Sequence, residues 1–396
     1  VETVPLTVDN VAIPGDGRVK VQLVDLVPRE VATLLEQGAV RNEHTGVEAQ
    51  QDVGLQEYRK MLHGVVTGQY EQLVDLLVQK GLVELVSTPG EAIQGIFGVP
   101  KGDKARLILN AVAANLRCLA PPDPQLPLIE SLSKLVVPAH SRLYWSLLDL
   151  SDYYHVLVLP EALRSLFGLP PVVVEGELVF PRWVTLPMGW SWAVYLAQLA
   201  HTYQLGVRSA RYREAVSLAG PAIPRFLDPG VDGVGTYIDD QLALNLDDKR
   251  SVSLIKELVD VEITPVKESK IQLAAPGKAV QGWGIELNET GVFQPPPLKL
   301  SVLVRRTRQV INDVYLPTNA LLSLIGKWLW FALLVRPTLS VFTPLFRQGR
   351  SRHFMVRLWP ASIKALRQLI AISPLLSANP ARPVGWLVAT DSSSRG

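Results

Sequence analysis

Four consecutive residues, Tyr237-Ile238-Asp239-Asp240, set two carboxylates side by side between apolar runs. Gly233-Val234-Gly235-Thr236 precedes them and Gln241-Leu242-Ala243-Leu244 follows. That alternation predicts a β-hairpin with the acids at its tip. Strands hold a tip still while the turn leaves it uncovered, so acids placed there can meet a cation. Clustered carboxylates suit two Mg²⁺ ions about 3.5–4 Å apart, which serve the attacking and leaving oxygens of a phosphoryl transfer. Asp is also an ordinary turn residue, and a bare Asp-Asp pair is more often a solvated turn. The segments around the pair decide between these readings.

A third acid comes from upstream. Trp145-Ser146-Leu147-Leu148-Asp149 reads as an apolar strand ending on a carboxylate, and Leu150-Ser151-Asp152-Tyr153-Tyr154 continues it into polar and aromatic residues. An acid at one strand end, facing a hairpin that carries two more, makes a two-metal site. Between them lies Leu186-Pro187-Met188-Gly189, opening a helix-like run to Leu205. These blocks, in this order, resemble the palm of a reverse transcriptase: a strand with Asp and a nearby aromatic, Leu-Pro-x-Gly before a helix, then Tyr-x-Asp-Asp. The resemblance covers roughly residues 75 to 345. It implies an α+β, right-hand polymerase fold of fingers, palm and thumb, with an antiparallel palm sheet backed by helices.

Composition agrees with this reading. The 396 residues are 48% hydrophobic and 19% charged, which describes a globular chain with ample core. The single cysteine, Cys118, rules out an internal disulfide, and no Cys/His cluster suggests zinc. The opening Val1-Glu2-Thr3-Val4-Pro5 has neither an initiator Met nor a signal-peptide pattern. It reads as a segment excised from a longer product, not secreted, acting in cytoplasm, nucleus or a virus-like particle. The apolar run from Ala320 to Phe346 is interrupted by Lys327 and Arg336, so a buried helix is expected rather than a membrane span.

Net charge is only +2, yet from Gly291 to Thr390 the sole acid is Asp313, among thirteen Lys and Arg residues. A basic third beside a palm reads as a phosphate-backbone footprint; the plain alternative is a solvated basic face.

The remaining segments divide the chain into expected parts. Residues 1–52 form an N-terminal extension without evident chemistry, and 53–145 with 168–185 form fingers. Residues 146–296 form the palm, 297–370 a thumb and connection, and 371–396 the start of a second domain. Apolar spacing from Val53 to Leu82 suggests two helices broken near Gly68. Ile93 to Asn110 reads as strand, turn, strand, and Val172 to Val179 as a hairpin turning at Glu175-Gly176. Pro295-Pro296-Pro297 reads as a stiff linker.

The resemblance assigns roles. It implies that Asp149 and Asp239 ligate two Mg²⁺ (or Mn²⁺) ions, with Asp240 close by and Leu150 adding a backbone carbonyl. Lys101 and Arg106, on the fingers hairpin, would grip the incoming triphosphate; an Arg fork binds phosphate oxygens bidentately. Tyr154 would lie under the nucleotide sugar and exclude a 2′-hydroxyl, with neighbouring Tyr153 as fallback. Lys270 would stand near the pyrophosphate, with Lys267 competing. Met188 replaces a Gln found in some retroviral enzymes, and Asn110 stands where many relatives carry Asp. Trp283-Gly284, in Val280 to Leu287, resembles the family's primer-grip hairpin. Leu321 to Lys327 is similar to thumb helices of retroelement enzymes, and Thr390-Asp391-Ser392 resembles the first strand of a ribonuclease H domain, cut short here.

The implied partners are an RNA template, a DNA primer or hybrid duplex and dNTPs, with no membrane. Further polyprotein domains or a second subunit are also implied. Within the family, the motifs point to LTR-type or tyrosine-recombinase retrotransposons or to pararetroviruses. Two other readings stay open. An RNA-dependent RNA polymerase shares the palm, but Tyr-Ile-Asp-Asp and the aromatic gate weigh against it. A non-catalytic palm would bind nucleic acid as a scaffold.

Overall fold

The computed structural model describes residues 3–15, 17–42, 61–62, 64–313 and 315–381. Asp391, where the ribonuclease H resemblance falls, and the first of the two helices expected after Val53 lie outside the described residues. Along the chain the principal elements are β1 (Gly95–Lys101), β2 (Lys104–Asn110), β3 (Tyr144–Asp149), β4 (Glu177–Trp183), β5 (Gly233–Tyr237), β6 (Asp240–Asn245), β7 (Val280–Gly282) and β8 (Ile285–Leu287). The principal helices are α1 (Tyr70–Gln79), α2 (Tyr153–Val156), α3 (Ala193–Arg208), α4 (Asp248–Val261), α5 (Pro297–Asn312), α6 (Thr318–Ala332), α7 (Thr343–Gly349) and α8 (Pro360–Ile372). The fold is α+β.

The chain forms two compact units. The first comprises Val1–Pro124, Leu150–Arg208 and Val261–Lys267. In it β1 and β2 pair as an antiparallel hairpin closed by a two-residue turn, where Gly102 takes φ +65°. Burial alternates along β2, with Ala105, Leu107 and Leu109 inside and Lys104, Arg106 and Asn110 outside. That is the period of a half-buried strand. A second sheet orders Val83–Val86, β4 and Val172–Val174, and its hairpin turns at Glu175-Gly176 as the sequence suggests. Both turn residues have positive φ, the type I′ pattern that matches strand twist. The N-terminal residues are woven into this unit. Val11–Ala12 runs parallel to β2, and Val21–Gln22 parallel to Leu157–Val158.

The second unit comprises Gln125–Asp149, Ser209–Asp260 and Glu268–Gly396. Its sheet runs Val216–Ser217, β5, β6, β3. The β5–β6 and β6–β3 pairings are antiparallel, while the short edge strand is parallel to β5. Helix α4 lies on this sheet: Ser251 Oγ donates to the Ala243 carbonyl (3.0 Å) and meets Ser146 Oγ at 2.9 Å. Asp247 starts that helix by accepting from the Lys249 and Arg250 N–H groups, as an N-cap residue does.

The core of this unit is continuous from the sheet into the C-terminal helices. Trp145, Leu242, Ile285, Phe293, Trp328 and Phe342 belong to one buried cluster. The Trp145 and Phe293 rings meet edge-on at 5.4 Å, and Trp145 Nε1 donates to the Val280 carbonyl. Two sequence expectations change here. The run 320–346 is not one helix: α6 ends at Ala332, and a 3-10 segment, Arg336–Phe342, begins with Pro337 in its first turn. Proline lacks the N–H that a continuing helix needs. Pro295-Pro296-Pro297 is likewise no free linker, because Pro296 caps α5 and Pro297 is its first residue, where the missing N–H costs nothing. Arg336 reaches back to Glu130, a buried carboxylate, with Nη1 contacts of 2.8 and 2.6 Å. Among the described residues, no helix is long and apolar enough to cross a membrane.

Candidate active site

The three acids arrive from two adjoining strands and the turn between β5 and β6. β6 pairs with β3 so that Asp240 stands opposite Asp149, Gln241 opposite Leu148 and Leu242 opposite Leu147. Ile238 and Asp239 form the two-residue loop, so Asp239 sits at the tip and Asp240 begins the returning strand. Ile238 has φ +58° while Asp239 has no positive φ, the sign pattern of a type II′ turn. That turn normally places glycine first. A β-branched residue there stores roughly 1–3 kcal/mol of strain, which the flanking ladder must hold.

Crowding leaves its mark on the acids. The Asp240 carboxyl is pushed up to about 7, first by burial, then by the Asp239 charge and by the hydrogen bond and charge of Asp149; Lys270 pulls the other way. Asp149 is buried, and Lys270 Nζ lies 2.7 Å from its Oδ2. The lysine is placed by a bridge beside β3: Leu147 N donates to the Gln272 carbonyl, and Gln272 N to the Leu147 carbonyl. Ala274 N adds a bond to Ser146 Oγ. Of the two lysines singled out from sequence, Lys270 is the one paired with Asp149, whereas Lys267 lies exposed in the first unit.

Three carboxylates fit divalent ions by their chemistry. Their oxygens are hard donors, burial and then mutual repulsion lift Asp240, and a cationic ammonium already rests on Asp149. The described residues nevertheless include no group of three His, Cys, Asp or Glu arranged to hold a metal ion. An ion at Asp149 Oδ2 would have to compete with Lys270.

Beside this sheet, β7 and β8 form a hairpin whose loop residues are Trp283 and Gly284. Both have positive φ (50° and 75°), a type I′ turn. The Trp283 ring packs against the backbone of β5, where a Cβ on Gly235 would fall 2.2 Å from its Cη2. Its centroid is 6.1 Å from that of Tyr237. The Trp283 carbonyl accepts from Trp330 Nε1 at 3.0 Å, tying the loop to α6. The sequence expectation of a hairpin at 280–287 is met, and a glycine in β5 gives it its seat.

In the first unit, Lys101 and Arg106 share one exposed face of the β1–β2 hairpin. Lys101 stands opposite Lys104, and Arg106 opposite Val99. Lys104, not singled out from sequence, completes that basic face; strand alternation alone would have found it. Leu150 is buried and bridges to Val266, with Ser151 N donating to the Pro265 carbonyl at 2.7 Å. Tyr153 is buried and its hydroxyl donates to the Ala197 carbonyl, so it is a core side chain, while Tyr154 remains half-exposed. Met188 is half-exposed in a loop docked on β2: its carbonyl accepts from Leu109 N, and Gly189 (φ +117°) passes so close that a Cβ would lie 2.2 Å from the Leu109 oxygen. Asn110 ends β2, exposed.

Two buried groups in this unit had no signal in the sequence. His155 is buried with its ring 6.2 Å from that of Trp183, and burial pushes its pKa down to about 4. Asp152 opposes that shift, while the charges of Lys101, Lys20 and Arg106 add to it. The basic face of the hairpin thus reaches His155 electrostatically. On α3, His201 Nε2 lies 3.3 Å from Glu262 Oε2, both fully buried. Glu262 also accepts from Gln204 and from Thr264, and burial, which alone would raise its pKa, is outweighed by His201 and Thr264, leaving it lowered.

Comparison with known proteins gives the fold. No family model matches the chain, and no curated protein does. Among solved structures, the foamy viral protease-reverse transcriptase dRH in complex with double-stranded DNA superposes with a TM-score of 0.56 at 15% identity, covering 94% of this chain and 63% of that one. The foamy viral protease-reverse transcriptase with dsDNA gives 0.53 at 15%, covering 94% and 75%. With an RNA/DNA hybrid it gives 0.53 at 16%, covering 94% and 49%. The chain therefore spans half to three quarters of those proteins. At this identity the likeness establishes a reverse-transcriptase-like fold.

Proposed function

We propose that the chain is an RNA-directed DNA polymerase that extends a primer with dNTPs on an RNA or DNA template. The observation that carries this reading is the facing of Asp149 and Asp240 across adjoining strands, with Asp239 at the tip beside them. The reverse-transcriptase-like fold supports it, and the solved neighbours hold dsDNA or an RNA/DNA hybrid. In this reading 53–145 with 168–185 are fingers, 146–296 palm and 297–370 thumb and connection.

Asp149 and Asp239, with Asp240, would hold two Mg²⁺ or Mn²⁺ ions, and Leu150 would offer its carbonyl. When bound, the ions lower the pKa of a primer 3′-hydroxyl and neutralise charge on the triphosphate and pyrophosphate. The chain's own groups do the rest. Lys101, Lys104 and Arg106 offer a cationic face to triphosphate oxygens. In this reading Tyr154 would exclude a 2′-hydroxyl, and Met188 would offer the nucleotide no polar contact. Lys270, paired with Asp149, would take up phosphate charge. Trp283 and Gly284 support the primer end from a hairpin seated on β5. The parent is read as a retroelement polyprotein.

The test is incorporation of labelled dNTPs on primed RNA and primed DNA, with Mg²⁺, with Mn²⁺, and after chelation. Metal-dependent synthesis on both templates is expected. Synthesis from ribonucleotides alone would point instead to an RNA polymerase.

A further inference from the structure

We infer that a hollow of about 490 Å³ in the second unit, walled by Arg347, Arg350, His353, Arg357 and Trp359, binds a short single-stranded segment of nucleic acid. The inference rests on the nucleic-acid reading above and adds a separate binding place to it.

The hollow is built on fixed backbone. Gln348, buried on α7, donates from Nε2 to the Arg357 carbonyl at 2.7 Å and accepts at Oε1 from Trp359 N at 3.2 Å. Those two bonds hold the 357–359 segment against α7. On the other side, Leu316 pairs with Val356, and Thr318 N donates to the Phe354 carbonyl at 2.9 Å. The cations therefore come from α7, its C-terminal end and the braced segment that follows.

Charge selects an anion. Arg347, Arg350, Arg352 and Arg357 are all exposed, and none has a carboxylate within ion-pair distance among the described residues. Asp313 is the sole acid between Gly291 and Thr390, so little nearby competes. Guanidinium forks at this density match phosphate oxygens.

The aromatic residues select among anions. Trp359 is 48% exposed on the wall, and Phe354, next in the chain to His353, is 79% exposed. Large exposed rings interleaved with Arg are the features of single-strand binders, because unpaired bases offer π-faces that a duplex hides. A concave hollow, within the usual range of about 300–1,000 Å³ for small-molecule pockets, takes a splayed base or two better than a duplex side.

The test is fluorescence anisotropy of the full chain with a labelled single-stranded oligonucleotide and with a blunt duplex of equal length, over a salt series. Trp359→Ala is expected to weaken single-strand binding at least about fivefold and duplex binding less than about twofold. Trp359→Phe should restore most of the loss. Arg350→Glu with Arg357→Glu should flatten the salt dependence of single-strand binding by about one phosphate contact or more. Wild-type affinity in all variants, or equal losses on duplex, would overturn the inference. If primers are extended but the variants bind single strands like wild type, this inference alone fails. If the wild type neither extends primers nor binds nucleic acid, the polymerase reading fails with it.

Discussion

Trp283 rests on Gly235: the indole occupies the space that any side chain at 235 would need, 2.2 Å from where its Cβ would be. A glycine in the strand leading to the paired acids and a tryptophan in a separate hairpin are thus one fitted contact. Gly235→Ala is expected to cost about 1–3 kcal/mol by overpacking. Calorimetry should show a melting point lowered by several degrees. Adding Trp283→Leu to that background should return part of the loss, because a smaller side chain relieves the clash; simple additivity of the two losses would contradict the contact.

His155 gives the protein an acid-side weakness. Its folded pKa, about 4, lies below the ordinary value of 6.5. Between those pH values the unfolded chain binds a proton that the folded chain refuses, so stability falls as pH falls through that window. The loss should approach about 3 kcal/mol by pH 4, at roughly 1.4 kcal/mol per unit. His155→Phe should flatten the dependence of chemical unfolding between pH 6.5 and 4. An unchanged pH profile would exclude His155 as its cause.

His201 and Glu262 form a buried pair beneath Tyr153, whose ring lies 5.7 Å from that of His201. His201→Leu removes a partner from a buried carboxylate and should destabilise by about 1.5–3 kcal/mol near pH 7. Because the Glu262 pKa is depressed, its contribution exists above the ordinary carboxylate range and is lost on acidification. The difference between variant and wild type should therefore shrink as pH drops below about 4, measured by urea titration.

Tyr154 is the half-exposed member of its pair, since Tyr153 is anchored in the core. Tyr154→Val should raise ribonucleotide use relative to deoxynucleotide at least about tenfold, a change of about 1.4 kcal/mol in discrimination. Single-nucleotide incorporation kinetics would measure it. Unaltered discrimination would move the gate elsewhere.

The acids, the hairpins and the basic third were legible in the sequence because each is a local pattern: alternation, paired carboxylates, turn residues with positive φ. Lys104 lay within reach of the same alternation. The seat of Trp283 on Gly235 was not legible, since it joins residues far apart in the chain and a glycine in a strand has several explanations. His155 and the His201–Glu262 pair were hidden for the same reason. A lone His in an apolar stretch gives no sign of its burial or partner. The break after Ala332 was carried by Pro337, which the apolar run around it masked.

The most direct measurement is extension of a DNA primer on an RNA template with dNTPs and Mg²⁺, by wild type and by Asp239→Asn, with duplex affinity measured on both. The expected result is extension by the wild type, a loss of about 100-fold or more in the variant, and similar duplex binding by the two. Equal extension by both proteins would contradict the role of the paired acids. Duplex binding without extension by the wild type would contradict the polymerase reading and leave a palm that holds nucleic acid as a scaffold.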